Sequence, residues 1–71
     1  MKIIDACLEV MKTAAGAMTA REILEEIQRR DLYTFGAKEP LKVLSGTIRE
    51  NIRKGAPPQI REIERGKYVV A

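Results

Sequence analysis

The stretch PLKVLSGTIRENIRKG, residues 40–55, decides how this chain is read. At about 100° per residue, Leu41, Leu44, Ile48 and Ile52 fall within about 80° of one another on a helical wheel. Lys42, Gly46, Arg49 and Arg53 fill a neighbouring arc of about 60°. The apolar stripe has to be covered, so the basic stripe beside it is displayed at a fixed angle. Pro40 suits the first helical turn, where its missing N–H costs nothing. Gly55 ends the helix, and Pro57 and Pro58 prevent its continuation. Beyond the prolines, Ile60 to Val70 reads as a β-hairpin turning at Arg65-Gly66. That register sets Ile63 opposite Tyr68 and Arg61 opposite Val70.

Upstream of this segment two further helices are expected. The first runs from about Lys2 to Thr13, with Ile4, Cys7, Leu8 and Met11 at i, i+3, i+4 and i+7 as its apolar stripe. Ala14, Ala15 and Gly16 end it, with Gly16 at the C′ position. Ala17 and Met18 are short enough to be only a strand edge pairing with the later hairpin. The second helix begins at Thr19, because Thr19-Ala20-Arg21-Glu22 fits a capping box in which Thr19 and Glu22 satisfy each other's backbone N–H groups. Ala20, Ile23, Leu24 and Ile27 are its buried side, and Arg29 and Arg30 suit its C-terminus. Asp31 to Glu39 is a loop whose Leu32, Tyr33 and Phe35 pack onto the core. The predicted fold class is α+β: three helices, a C-terminal two-stranded hairpin and a very short first strand near Met18. This is the order of a winged helix-turn-helix, and residues 1–71 are expected to form a single such domain.

Composition narrows the function. Seventy-one residues with 45% hydrophobic and 32% charged side chains suit one small globular domain. There is no histidine and only one cysteine, so neither an internal disulfide nor a zinc site is possible within the chain. Nucleophilic catalysis by Cys7 lacks a histidine base. Glu22, Glu25 and Glu26 read as a solvated helix surface, so no enzyme, metal, cofactor or small-molecule substrate is expected. The apolar runs are too short to span a membrane, and Asp5 and Glu9 interrupt the only candidate signal segment. A cytoplasmic (bacterial nucleoid-associated) or nuclear location is expected. The net charge of +3 is unevenly spread: residues 1–35 sum to −1 and residues 36–71 to +4. That asymmetry directs the C-terminal half toward a polyanion or an acidic partner.

Specific residues now carry a resemblance. Met18-Thr19 introduces a helix containing Glu22-Ile23; a Gly36-x-Lys38-x-Pro40 loop follows, with Leu44 and Ile48 downstream; Gly66-Lys67-Tyr68-Val69 closes the hairpin. Their order and spacing, over roughly Ile3 to Val70, resemble the HARE-HTH family. That winged-helix module occurs in Asx-like chromatin proteins, some restriction endonucleases and the delta subunit of bacterial RNA polymerase. The resemblance implies a winged helix-turn-helix fold and a role in DNA-associated machinery. The first hairpin strand departs from the family in offering Ile60 and Ile63 where an aromatic residue is common.

The candidate DNA-binding residues are Lys38, Lys42, Ser45, Arg49, Arg53, Arg61, Arg65 and Lys67. Arg reads guanine bidentately, and Lys acts as a point charge on phosphate. Lys42, Arg49 and Arg53 suit a helix entering the major groove; the other reading is a solvated helix face. Ser45, at the border of the two stripes, either donates to a phosphate or is buried. Lys38 precedes a helix N-terminus, where phosphates gather, or is a simple loop lysine. Arg61, Arg65 and Lys67 decorate the wing, with Glu62 and Glu64 beside them opposing an anionic partner. Gly46, costly inside a helix, permits close approach of either a neighbouring helix or a phosphate backbone. The expected partner is double-stranded DNA. The alternative is docking onto an acidic protein surface, such as RNA polymerase or chromatin machinery, where Val43, Thr47 and Glu50 matter as much as the arginines. Ending just past the hairpin is expected of a module excised from a larger protein.

Overall fold

The computed structural model describes residues 1–71. In chain order it contains α1 (Ile3–Lys12), β1 (Met18–Thr19), α2 (Ala20–Arg29), α3 (Pro40–Lys54), β2 (Ile60–Glu64) and β3 (Lys67–Val70). The strands form one antiparallel sheet in the order β1-β3-β2. This is the expected α+β winged-helix arrangement. The short first strand is present, with Met18 opposite Tyr68 and Thr19 opposite Lys67.

Local chemistry explains the helix boundaries. Thr19 N–H donates to Glu22 Oε1 at 2.9 Å, and Glu22 N–H donates to Thr19 Oγ1 at 3.2 Å, so the capping box forms in full. At the other end of α2, Asp31 adopts a left-handed conformation with φ of 54°. Leu32 N–H donates to Ile27 O, and Asp31 N–H to Gln28 O, which is the Schellman pattern with aspartate where glycine is commoner. Pro40 occupies the first turn of α3, and Gly55 is its C-cap. A Cβ on Gly55 would lie 2.5 Å from the Asn51 carbonyl oxygen and 2.7 Å from Pro58 Cα, so close packing at the helix exit requires glycine here.

Three expectations about the elements are corrected. Gly16 is not the C′ residue of α1: the helix stops earlier, with Thr13 as C-cap, and the Thr13 hydroxyl returns to Val10 O at 3.0 Å. The buried face of α1 is centred on Ala6, Cys7, Val10 and Met11, while Ile4 and Leu8 are only half-buried at its margin. The apolar arc of α1 is wide, and packing against both α2 and α3 selects its middle. The hairpin register is also shifted. Glu64 faces Lys67 across the Arg65-Gly66 turn, as expected, but an irregularity between Glu62 and Glu64 then displaces the pairing. Glu62 therefore faces Tyr68, Arg61 faces Val69 and Ile60 faces Val70. Ile63 is the extra, unpaired residue of a β-bulge and lies half exposed, rather than opposite Tyr68.

One core holds these pieces together. Ala6, Cys7, Val10 and Met11 of α1 meet Ile23, Leu24 and Ile27 of α2 and Leu44 and Ile48 of α3. Ile60 and Tyr68 bring the hairpin onto the same cluster. Leu32, Tyr33 and Phe35 pack against it from the loop as expected, and the Tyr33 and Phe35 rings meet edge to face at 5.0 Å. No polar or charged residue is buried. Asn51 joins α3 to the wing: its Oδ1 accepts from the Gln59 N–H at 2.8 Å and the Ile60 N–H at 3.1 Å, and its Nδ2 donates to Gln59 Oε1. No helix is long and apolar enough to cross a membrane.

Candidate nucleic-acid interface

Burial of Leu44 and Ile48, with Leu41 and Ile52 half-buried, turns the opposite side of α3 outward. That side carries two adjoining shallow surfaces. Val43, Gly46, Thr47, Arg49, Glu50 and Arg53 line one, and Glu39, Leu41, Lys42, Ser45 and Arg49 line the other. Arg49 stands at their junction. The structure thus brings together Lys42, Ser45, Arg49 and Arg53. Ser45 is half-buried at the edge. Gly46 has no heavy atom within 4 Å of where a Cβ would lie, which excludes a neighbouring helix as the reason for glycine there.

The cations differ in their partners. Lys42 Nζ lies 3.8 Å from Glu39, while Arg53 and Lys54 both pair with Glu50. These pairs are exposed, and pairs of this kind contribute little to stability. Hydrogen bonding from Arg53, followed by the charges of Arg53 and Lys54, holds the Glu50 carboxyl below its usual range. Arg49 is the cation of α3 that faces no carboxylate. A similar exposed cluster on α2 joins Glu26 to Arg29 and Arg30. There, chiefly the hydrogen bond from Arg29 draws the Glu26 carboxyl down to about 2.

The remaining candidates lie apart from this surface. Lys38 is exposed in the loop before α3. Arg61 and Arg65 are exposed at the base and tip of the wing, on surfaces separate from those of α3. Lys67 is 3.8 Å from Glu64. Glu62 Oε2 accepts from the Gly66 N–H at 2.8 Å, which ties the turn where Gly66 has φ of 80°. Cys7 is fully buried in the core, as a small hydrophobe should be, and burial pushes its thiol up to about 11. No group of three or more His, Cys, Asp or Glu side chains is placed to hold a metal ion.

Sequence reasoning passed over two members of this region. Lys54 went uncounted as a basic candidate, and Glu50 was not seen to bridge two cations. Their i+4 and i+3 spacings from Glu50 carried both signals. Asn51 was also missed. It falls beside Leu44 on the wheel, and a polar residue at the edge of an apolar stripe needs a hydrogen-bond partner when packed.

A helix displaying cations outward, supported by two others and followed by a strand-paired hairpin, defines a winged helix-turn-helix protein. The chain belongs to the HARE-HTH family: the model of this helix-turn-helix domain, described as that of ASXL and restriction endonuclease proteins, matches residues 1–70. No curated protein and no solved structure matches it.

Proposed function

We propose that residues 1–71 form one winged-helix module that binds duplex DNA and targets a larger protein to it. In this reading α3 enters the major groove, and the wing, with Arg61, Arg65 and Lys67, lies against the adjoining backbone. The observation that carries it is Arg49, an exposed guanidinium at the junction of both outward surfaces of α3 with no carboxylate to neutralise it. Lys42, Arg53 and Lys54 surround it, and phosphate competes readily for cations held only in exposed pairs. Membership of a helix-turn-helix family supports the same reading. A nucleoid or nuclear location follows from it.

The test is a fluorescence titration of labelled duplex at two salt concentrations. With three to five phosphate contacts, log K should fall against log salt with a slope near −3 to −5, at roughly −0.9 per phosphate. Unrelated sequence should bind at roughly 10⁻⁴–10⁻⁶ M at physiological salt. A second reading has an observation of its own: Val43 is exposed on the same face, beside Glu50. An apolar side chain there suits docking onto a protein surface such as that of RNA polymerase or chromatin machinery. No change in anisotropy at high micromolar protein and low salt would leave that reading in place of DNA binding.

A further inference from the structure

The outermost ridge of α3 is not its arginines. Taking about 100° per residue, Gly46 and Glu50 lie within about 20° of the direction opposite the midpoint of the buried stripe. Lys42 and Arg49 lie about 60–80° to one side, and Lys54 about 60° to the other. A helix seated in a major groove turns its outermost ridge to the base edges and its flanks to the two phosphate walls. We propose that Glu50 is the base-reading residue of this interface and accepts the exocyclic amino group of a cytosine, while the flanking cations hold phosphates. The proposal rests on the DNA-binding reading above.

The chemistry of a carboxylate narrows what it meets in the groove. It only accepts hydrogen bonds, so phosphate oxygens, guanine O6 and N7 and thymine O4 all repel it. Donors in the major groove are the amino groups of cytosine and adenine. Adenine sets its N7 acceptor beside the donor, so cytosine is the better match for an acceptor-only side chain. Two features allow an anion in this position. Arg53 and Lys54 lie against separate oxygens of Glu50, the latter at 3.4 Å. They offset its repulsion from DNA and fix its direction, and a carboxylate with about four lone-pair sites keeps capacity for another donor. Gly46, one turn earlier on the ridge, has open space where a side chain would stand. The absence of that side chain lets the helix seat deeply enough for Glu50 to reach a base.

The experiment is selection from a randomised duplex library with the 71-residue chain, followed by sequencing. It is repeated with Glu50→Gln, Glu50→Ala and Arg49→Ala, each checked for unchanged helical circular dichroism. The original chain should enrich cytosine at one position by about 5–10-fold over other bases. Glu50→Gln should shift that position toward adenine, which a glutamine amide matches through N6 and N7. Glu50→Ala should flatten it, and Arg49→Ala should weaken binding to all sequences while keeping the cytosine. Binding without a base preference, or a preference unmoved in both Glu50 variants, overturns the assignment and leaves DNA binding standing. Failure of the original chain to bind any duplex overturns both.

Discussion

Two glycines of one helix show how context, and not residue type, sets energetic effect. Gly46 faces open space in the middle of α3, where glycine is unfavourable relative to alanine. Gly46→Ala should therefore raise stability by about 1 kcal/mol in a denaturant titration. Gly55 at the same helix's exit meets backbone atoms on two sides. Gly55→Ala should lower stability by about 1–3 kcal/mol, as overpacking does; equal effects at the two sites would contradict these placements. Cys7 adds a pH dependence. Its folded thiol is raised from 9.0 to about 11 by burial, offset in part by a backbone hydrogen bond. The folded state keeps this proton where the unfolded chain releases it. The stability involved is intact below pH 9 and is lost as pH rises toward 11, by roughly 2–3 kcal/mol at 1.36 kcal/mol per unit. Cys7→Ala lacks that loss, so its stability deficit against the original chain should narrow across this interval. Parallel stability curves would show that Cys7 does not titrate in this way.

At the scale of elements, the angle between α3 and the wing depends on Asn51, whose side chain satisfies the N–H groups that open β2. Asn51→Ala leaves both donors without this partner and should destabilise by about 1–3 kcal/mol. Asn51→Asp keeps the acceptor and should cost less. If the two variants melt together, the latch has no role. The helix ends were legible in sequence because their chemistry is local: Thr19 with Glu22, and Pro40 with Gly55, act within a few residues of themselves. Pairing and orientation were legible only in part. The β-bulge at Ile63 has no signature in IREIE, since each register leaves one isoleucine outside. The face of α1 was misplaced because Ile3, Ile4, Cys7, Leu8, Val10 and Met11 form an arc wider than the surface available to cover it. In the candidate interface, the cations on α3 followed from the wheel. The difference between paired Arg53 and unpaired Arg49 needed side-chain geometry.

Across the whole molecule, charge is segregated by fold as well as by sequence. The excess of +4 in residues 36–71 belongs to α3, the wing and the loop between α2 and α3, which lie outside the shared core. Burial of Leu44, Ile48, Ile60 and Tyr68 in one cluster makes the basic helix and the wing parts of the same unit. A rigid display of this kind costs less ordering entropy on binding than a basic tail would. Arg49 and Arg53 are exposed, so Arg49→Ala together with Arg53→Ala should change stability by no more than about 0.5 kcal/mol. The most direct test of DNA binding through α3 is therefore the salt dependence of duplex affinity, compared between the original chain and this double variant. The predicted result is a slope near −3 to −5 that shrinks by nearly two units when both arginines are removed. An unchanged slope, or no duplex binding by the original chain at low salt, would contradict it.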